Sequence, residues 1–552
     1  MSVAAGVAAL AVIVALAFFA DLGRPAFWDP GESRYAETTR EMTESGNWMT
    51  PTLAFARYYD KPAPFFWMLA GSFAAFGRTE WAARLPSAIA AVVTIVLVFA
   101  FGWSYAGLRA AVGAGVVLAT AAQFVALGRS VRMDMLLTLL TTAALMHGFV
   151  LLGGRPRRSS PWSAAVTWPL YVAIVLGIFV KGPIGLVLPV LVLGAYAAAT
   201  RPLLSLSRLR PGVVSIAAVI GLAAWYAAQA VYAPDYLWTF LWQHNLGRFV
   251  GRTLAGHSNP IWFYVWTLPL TFLPWTMFLP AAMRRTIRRA RRGDRLERFL
   301  LAWCALPFAF FSLSRAKLAT YLLPIFPALA LIVAIYLDRV LRAPAPTRAR
   351  ALAIPALLWS ATLTIIAVAT PLAAAIMLPG YAGRALAVLP LAAYGVASWL
   401  IRRRGAWRTV PALVAMGMLT LQIVFFHAAA PVVDDFASLR AAARAAAALP
   451  ADTLVFAYKI RGHSFTYYGG RSLMRARSPA EVAAALGRSG PTAALVKHRH
   501  IAKIRQHLRQ PACIWWQSPA GRVLITNRPT PDGSGVPLLP PSAHAGDGVP
   551  HC

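Results

Sequence analysis

The chain of 552 residues is 59% hydrophobic and only 13% charged, against about 45–50% apolar and about 25% charged in soluble domains, which excludes a soluble globular fold as its main body. Lys and Arg outnumber Asp and Glu by 53 to 19. In so apolar a chain this excess sets membrane orientation or draws acidic lipids, and no nucleic-acid partner is expected.

The three cysteines, Cys304, Cys513 and Cys552, imply no disulfide framework. The run from Val3 to Ala20 has no basic residue before it and no clear cleavage motif, so it reads as a retained first helix rather than a signal peptide.

The loop 21–82 follows and concentrates the acids. It holds eight of the 19: Asp21, Asp29, Glu32, Glu37, Glu41, Glu44, Asp60 and Glu80. The pattern over 32–45 predicts an amphipathic helix ended by Gly46, and a solvated face accounts for Glu37, Glu41 and Glu44 as readily as chemistry does. Asp29 and Glu32 precede or open that helix, beside Trp28, Arg34 and Tyr35, and are the stronger candidates. The block Arg57-Tyr58-Tyr59-Asp60-Lys61-Pro62 offers a point cation and phenol hydroxyls, the donors a phosphate requires. An interfacial Tyr/Lys anchor is the plain alternative. The aromatic segment 63–77 reads as an interfacial helix.

With 3–20, thirteen runs are candidate spans of a hydrocarbon core of ~30 Å. The other twelve are 83–105, 110–127, 134–153, 164–181, 183–200, 212–232, 261–283, 299–314, 319–337, 351–377, 385–401 and 409–428. With the N-terminus inside, 23 arginines fall in the predicted inside loops, against eight Arg or Lys in the short outside loops. That alternation supports both the count and the orientation.

Three outside positions carry further candidates. Asp134 opens the fourth span after Arg129 and Arg132; a carboxylate there is a favourable helix terminus or part of a cavity. The loop 233–260 carries His244, Arg248, Arg252 and His257, a weak metal signal with a basic pair on one helical face. Arg315 and Lys317 precede Tyr321. These outer cations suit a lipid phosphate, or anionic lipid in general. Beyond about Val432, the apolar runs Thr453–Tyr458, Ala493–Lys497, Cys513–Gln517 and Arg522–Thr526, with a helical stretch at Pro479–Gly487, predict a small α/β domain. After Asn527 the Pro- and Gly-rich tail reads as disordered.

The run Trp28-Asp29-Pro30-Gly31-Glu32-Ser33-Arg34-Tyr35-Ala36-Glu37, then Arg40-Glu41-Met42 and Gly46-Asn47-Trp48, resembles the first periplasmic loop of the aminoarabinose lipid A transferases, in the protein O-mannosyltransferase-like group. Tyr58-Tyr59-Asp60-Lys61-Pro62 with Trp67, Arg132-Met133-Asp134, Lys181-Gly182-Pro183, Gly256-His257 with Trp262-Phe263-Tyr264, and Ser314-Arg315-Ala316-Lys317 before Tyr321 match in order. The resemblance covers roughly 1–430.

It implies an all-α polytopic GT-C glycosyltransferase of about thirteen spans in the bacterial inner membrane, occupying 1–431. A small periplasmic α/β domain over 432–527 and a disordered tail over 528–552 would follow. The donor would be undecaprenyl phosphate carrying 4-amino-4-deoxy-L-arabinose. The acceptor would be a lipid A phosphate, and the enzyme a monomer among membrane lipids.

Glu32 and Asp134, with Asp29, would then be catalytic. Lys61, Arg248 and Arg315 would hold the carrier phosphate, with Tyr58, Tyr321 and Lys317 assisting. Arg34, Tyr35, Tyr59, Arg132 and His257 would complete the substrate site. Asp60 and His244 would be the ligands of any divalent zinc or magnesium. The family carries adjacent acids, Asp-Glu, where this chain has Gly31-Glu32. Either Asp29 substitutes through a bend at Pro30-Gly31, or Glu32 acts alone, or the chain is impaired. Asp60 stands where Glu is expected. Two other readings stay open: a transferase of the same fold that moves another sugar, such as mannose, to protein or glycan, and a transporter. The near absence of charge within the spans argues against the latter.

Overall fold

The computed structural model describes residues 3–154, 156, 167–200, 211–236, 238–247, 259–460, 462–528 and 536–538. Each of the thirteen expected spans falls on a helix or a bent helix pair. Seven helical stretches are long and apolar enough to cross a membrane, and nine if each bent pair is one span, among the described residues. The chain is a multi-pass membrane protein. The bent pairs are corrections to two expected straight spans. Leu108–Thr120 meets Ala122–Gly128 at 68°, and Phe263–Thr271 meets Trp275–Arg291 at 113°. At the first break Ala121 is extended; at the second, Pro274 has no amide hydrogen to continue a helical ladder.

The chain divides into two compact units, one of Met1–Leu22, Trp48–Pro51 and Tyr58–Ala428, the other of Gly23–Asn47, Thr52–Arg57 and Ala429–Cys552. The division differs from the expected boundary at 431/432, because two pieces of the loop 21–82 group with the C-terminal residues.

The first unit is the helical bundle. Small residues let its helices approach closely, as in membrane interiors generally. A Cβ on Gly102 would stand 3.1 Å from the Ala111 Cα, where Glu80–Tyr105 crosses Leu108–Thr120. One end of the core is aromatic: Phe149 stacks on Phe299 at 4.5 Å, and Phe101 lies 4.5 Å from Tyr105. The helices Trp168–Lys181 and Ile184–Thr200 form a tight hairpin. Gly182 turns the chain at φ 77°, which only glycine adopts cheaply, and Gly177 and Gly185 touch back to back.

The second unit begins with the expected helix, Gly31–Ser45, closed by Gly46 at φ 67°. A short hairpin of β1 (Thr52–Leu53) and β2 (Ala56–Arg57) follows. A six-stranded sheet comes from β3 (Leu454–Tyr458), β4 (Leu473–Ala476), β5 (Thr492–Lys497), β6 (Ala512–Gln517), β7 (Arg522–Thr526) and β8 (Val536–Leu538). Its order is β4-β3-β5-β7-β6-β8. β3 runs parallel to β4 and β5, and the remaining pairs are antiparallel.

Strand alternation sends successive side chains to opposite faces. Val455, Ala493 and Leu495 meet Ala442, Ala446 and Phe465 on one face. Phe456, Ala494 and Val496 meet Val482, Leu486 and Ile504 on the other. Both faces are covered, so this is a three-layer α/β domain. Four strands and the helix Pro479–Leu486 match expectation; β4 and β8 were not expected, and β8 lies within the tail read as disordered. Cys513 in β6 is disulfide-bonded, a bridge that the cysteine spacing did not suggest, while Cys304 is free and buried.

Candidate functional site

The sequence candidates fall into both units. In the bundle, Asp134 lies in the first turn of Met133–Leu151 and Lys181 in the last turn of Trp168–Lys181. The two helices pack antiparallel, so the start of one meets the end of the other. Lys181 Nζ donates to Asp134 Oδ1 at 2.7 Å. Each charge also sits at the helix end that its sign favours. Asp134 is only 6% exposed. The positive charges of Arg132 and Lys61 act on the same carboxylate. Lys181 Nζ further stands 5.1 Å from the Tyr321 ring centroid, within cation–π range. Lys61, Arg132 and Tyr321, all named from sequence, thus surround the Asp134–Lys181 pair, the first two acting on the carboxylate and the third on the ammonium. Lys181 was not named as a site residue, although it is an outer-loop cation inside the Lys-Gly-Pro motif, and that was the available signal.

Beside Lys61, Asp60 Oδ2 lies 3.7 Å from its Nζ and accepts from the Tyr58 hydroxyl at 3.2 Å. Tyr59 packs edge-on against Tyr236 at 5.6 Å. Lys317 is 3% exposed and donates to the backbone oxygens of Asn259, at 2.9 Å, and Ser314. It holds the loop around it in shape. Arg315 is exposed and offers its carbonyl to the Asn259 amide at 3.4 Å. Arg248 and His257 lie outside the described residues. His244 belongs to the π-helical Trp238–Gly247. Among the described residues no three or more His, Cys, Asp or Glu side chains gather to hold a metal.

In the second unit, Asp29 is an anchor. It accepts from the Ser33 hydroxyl, the Ser464 hydroxyl and the Ser464 amide, the last at 3.1 Å. Its neighbours are tied down as well: Asp434 accepts from the Ala26 amide at 2.9 Å and from the Trp28 indole at 2.7 Å. Burial raises the Asp29 carboxyl above the usual carboxylate range, although the serines oppose it. Burial also lowers the nearby His463 imidazole, against the pull of Asp29.

Glu32 and Tyr35 are buried in the first turns of Gly31–Ser45, and Arg34 between them is half-buried. The helix is not a solvated face, since Glu37 and Glu41 are buried. Arg40 grips Glu37 through two bonds, at 2.9 and 2.7 Å. That contact raises the guanidinium, while burial raises the Glu37 carboxyl. Glu41 Oε2 accepts from the Thr52 hydroxyl at 2.5 Å and from the Phe55 amide at 3.1 Å, which fixes the β1–β2 hairpin.

A model of the family described as dolichyl-phosphate-mannose-protein mannosyltransferase matches residues 3–233. The helical bundle and the α/β unit make up the GT-C fold. Within that class the chain is similar to the undecaprenyl phosphate-α-4-amino-4-deoxy-L-arabinose arabinosyl transferases. The one from Edwardsiella ictaluri is 34% identical over 337 residues, which is 61% of this chain and 60% of that relative. The one from Aeromonas hydrophila is 33% identical over 309 residues, 56% of this chain and 55% of that relative. The match therefore spans 60% or less of these two relatives' length. The crystal structure of ArnT from Cupriavidus metallidurans bound to undecaprenyl phosphate shares the fold with a TM-score of 0.78. It covers 95% of this chain and 98% of that chain at 23% identity. The apo oligosaccharyltransferase of Archaeoglobus fulgidus shares it more distantly, with a TM-score of 0.51 over 97% of this chain and 75% of that chain at 12% identity.

Proposed function

We propose that the chain transfers 4-amino-4-deoxy-L-arabinose from undecaprenyl phosphate to a lipid A phosphate, at the periplasmic face of the bacterial inner membrane. The relatives' names supply the donor class. The observation that carries the reading is the gathering of Lys61, Arg132 and Tyr321 about the ion pair of the buried Asp134 with Lys181.

In this reaction an acceptor phosphate oxygen forms the new bond to the sugar's anomeric carbon. The bond from that carbon to the carrier phosphate breaks, and the carrier phosphate leaves with the electron pair. The attacking oxygen is already anionic near neutral pH, so no general base is required. The enzyme contributes positioning and cations where charge builds on the leaving phosphate. Lys61, with Arg248 and Arg315, holds that phosphate, and Tyr58 and Tyr321 donate to it. Asp134, fixed by Lys181, orients the sugar and meets its amine. Membranes carrying wild-type or Lys61→Ala protein, assayed for aminoarabinose on lipid A, test the reading. Modification disappears in the variant if Lys61 holds the phosphate; unchanged modification removes the clamp.

A second reading has the mannosyltransferase description of the matching family model in its favour: transfer of mannose to protein. Mass analysis of the product separates the two, by the amino pentose on lipid or the hexose on protein.

A further inference from the structure

The α/β unit carries a charge that the transfer reaction does not use. Between Glu481 and Asp532 there is no acidic residue, while eight Lys or Arg occur there. Several of them meet at one place set by the topology. After β3 the chain passes to the helix His463–Gly469, whose Phe465 packs on one face of the sheet. After β5 it passes through His498–His500 to the helix Ile501–Arg505, whose Ile501 and Ile504 pack on the other face. β3 and β5 are parallel neighbours, so their carboxyl ends part to opposite sides. That divergence is where open α/β sheets take their ligands.

The side chains at this point are cationic. Lys459 follows β3 at φ 53°, a left-handed backbone uncommon outside glycine. Its Nζ lies 5.5 Å from the Tyr458 ring centroid. Tyr458 meets His500 edge-on at 5.2 Å. Lys459, Lys497, Arg499 and Lys503 all act on His500, and among the described residues every charge acting on it is positive. His500 Nε2 is buried without a hydrogen-bond partner among the described residues. Four like charges around an unsatisfied imidazole repel one another, and an anion relieves both defects.

We propose that the carboxyl ends of β3 and β5 form a binding site for a phosphoryl anion, held by Lys459, Lys497, Arg499 and Lys503, with His500 Nε2 donating. The site belongs to the second unit and does not depend on the proposed transfer. Its chemistry fits a phospholipid headgroup or free phosphate.

The test uses the full-length protein in detergent. Native mass spectrometry counts phosphatidylglycerol against phosphatidylcholine adducts, and inorganic phosphate is titrated as a competitor. Wild type is expected to retain the anionic lipid preferentially. The Lys459→Gln/Lys497→Gln pair is expected to lose that retention about tenfold, as suits charge-assisted contacts. The pair Arg444→Gln/Arg509→Gln removes the same charge from exposed positions elsewhere and should bind as wild type. Competition by millimolar phosphate assigns the site to the free anion, and lipid retention without competition assigns it to the headgroup. Equal binding by the Lys459/Lys497 pair and wild type, or an equal loss in the control pair, overturns the site. If the pair unfolds at a lower temperature, the exposed single change Lys459→Gln carries the comparison.

Discussion

Lys181 Nζ lies 2.7 Å from Asp134 Oδ1, joining two residues 47 positions apart and closing the end of a helix pair in the bundle. Asp134 is buried and the Lys181 side chain is 14% exposed, and the pair's energetics follow from that. Removing one partner leaves the other's charge uncompensated, which costs about 3–5 kcal/mol for a buried pair. Lys181→Met should therefore lower the unfolding temperature of the detergent-solubilised protein more than the double change Asp134→Asn/Lys181→Met does. Sugar transfer should fail in both. A double variant less stable than the single one contradicts the pairing.

Tyr321 separates two contributions. Its ring faces the Lys181 ammonium, and its hydroxyl is a candidate donor to the leaving phosphate. Tyr321→Phe keeps the ring, so thermal stability should hold while turnover falls by about 10²-fold, the usual loss of one stabilising donor. Tyr321→Leu should lose both. If the phenylalanine variant turns over normally, the hydroxyl has no role.

Arg40 tests the buried acids of the second unit. Arg40→Lys keeps the charge but loses the two-pronged grip on Glu37, because an ammonium is a point charge. Arg40→Met leaves Glu37 buried and unpaired. Thermal unfolding of the full chain should rank wild type above Arg40→Lys above Arg40→Met, with the last about 3 kcal/mol down. Equal stability of all three would show that Glu37 is already neutral.

Two pH effects of opposite sign are expected in the same unit. His463 is lowered from 6.5 by burial, so the unfolded chain binds the proton more tightly. Its contribution is intact above 6.5 and is lost as pH falls below that value. Asp29 is raised from 3.8, so the folded chain binds that proton more tightly. Its contribution is intact below 3.8 and is lost as pH rises from there through the folded value. Unfolding temperatures against pH should show His463→Gln flattening the slope just below 6.5, and Asp29→Asn flattening the slope just above 3.8. An unaltered slope in either variant removes that residue from the account.

Much of the architecture was legible because burial in lipid demands long apolar runs and β-strands demand alternation. All thirteen helical segments and four strands follow from those two rules, and the Gly46 stop from the ease with which glycine takes the left-handed turn. The breaks at Ala121 and Pro274 were less legible, since hydropathy does not register a bend. The site was legible by residue type but not by partner. Arg132, Asp134 and Tyr321 stood out as polar groups at the ends of spans, and Lys61 as a cation in the loop 21–82. The partner that links Asp134 to Tyr321, Lys181, counts in the sequence only as one more loop cation. Asp29 shows the converse: its position suggested chemistry, whereas its two oxygens are taken by Ser33 and by Ser464, 435 positions away, a distance no local pattern spans.

The hairpin that presents Lys181 rests on two bare backbones in contact. A methyl group at position 185 would stand 2.2 Å from the Gly177 carbonyl carbon, and no backbone yields that far without the helices parting. The height of the ammonium above its carboxylate is thus set by two residues that have no functional group to delete. Truncation scanning passes over such positions; the informative change there is an addition, and Gly185→Ala should displace the cation while every reactive side chain stays in the sequence.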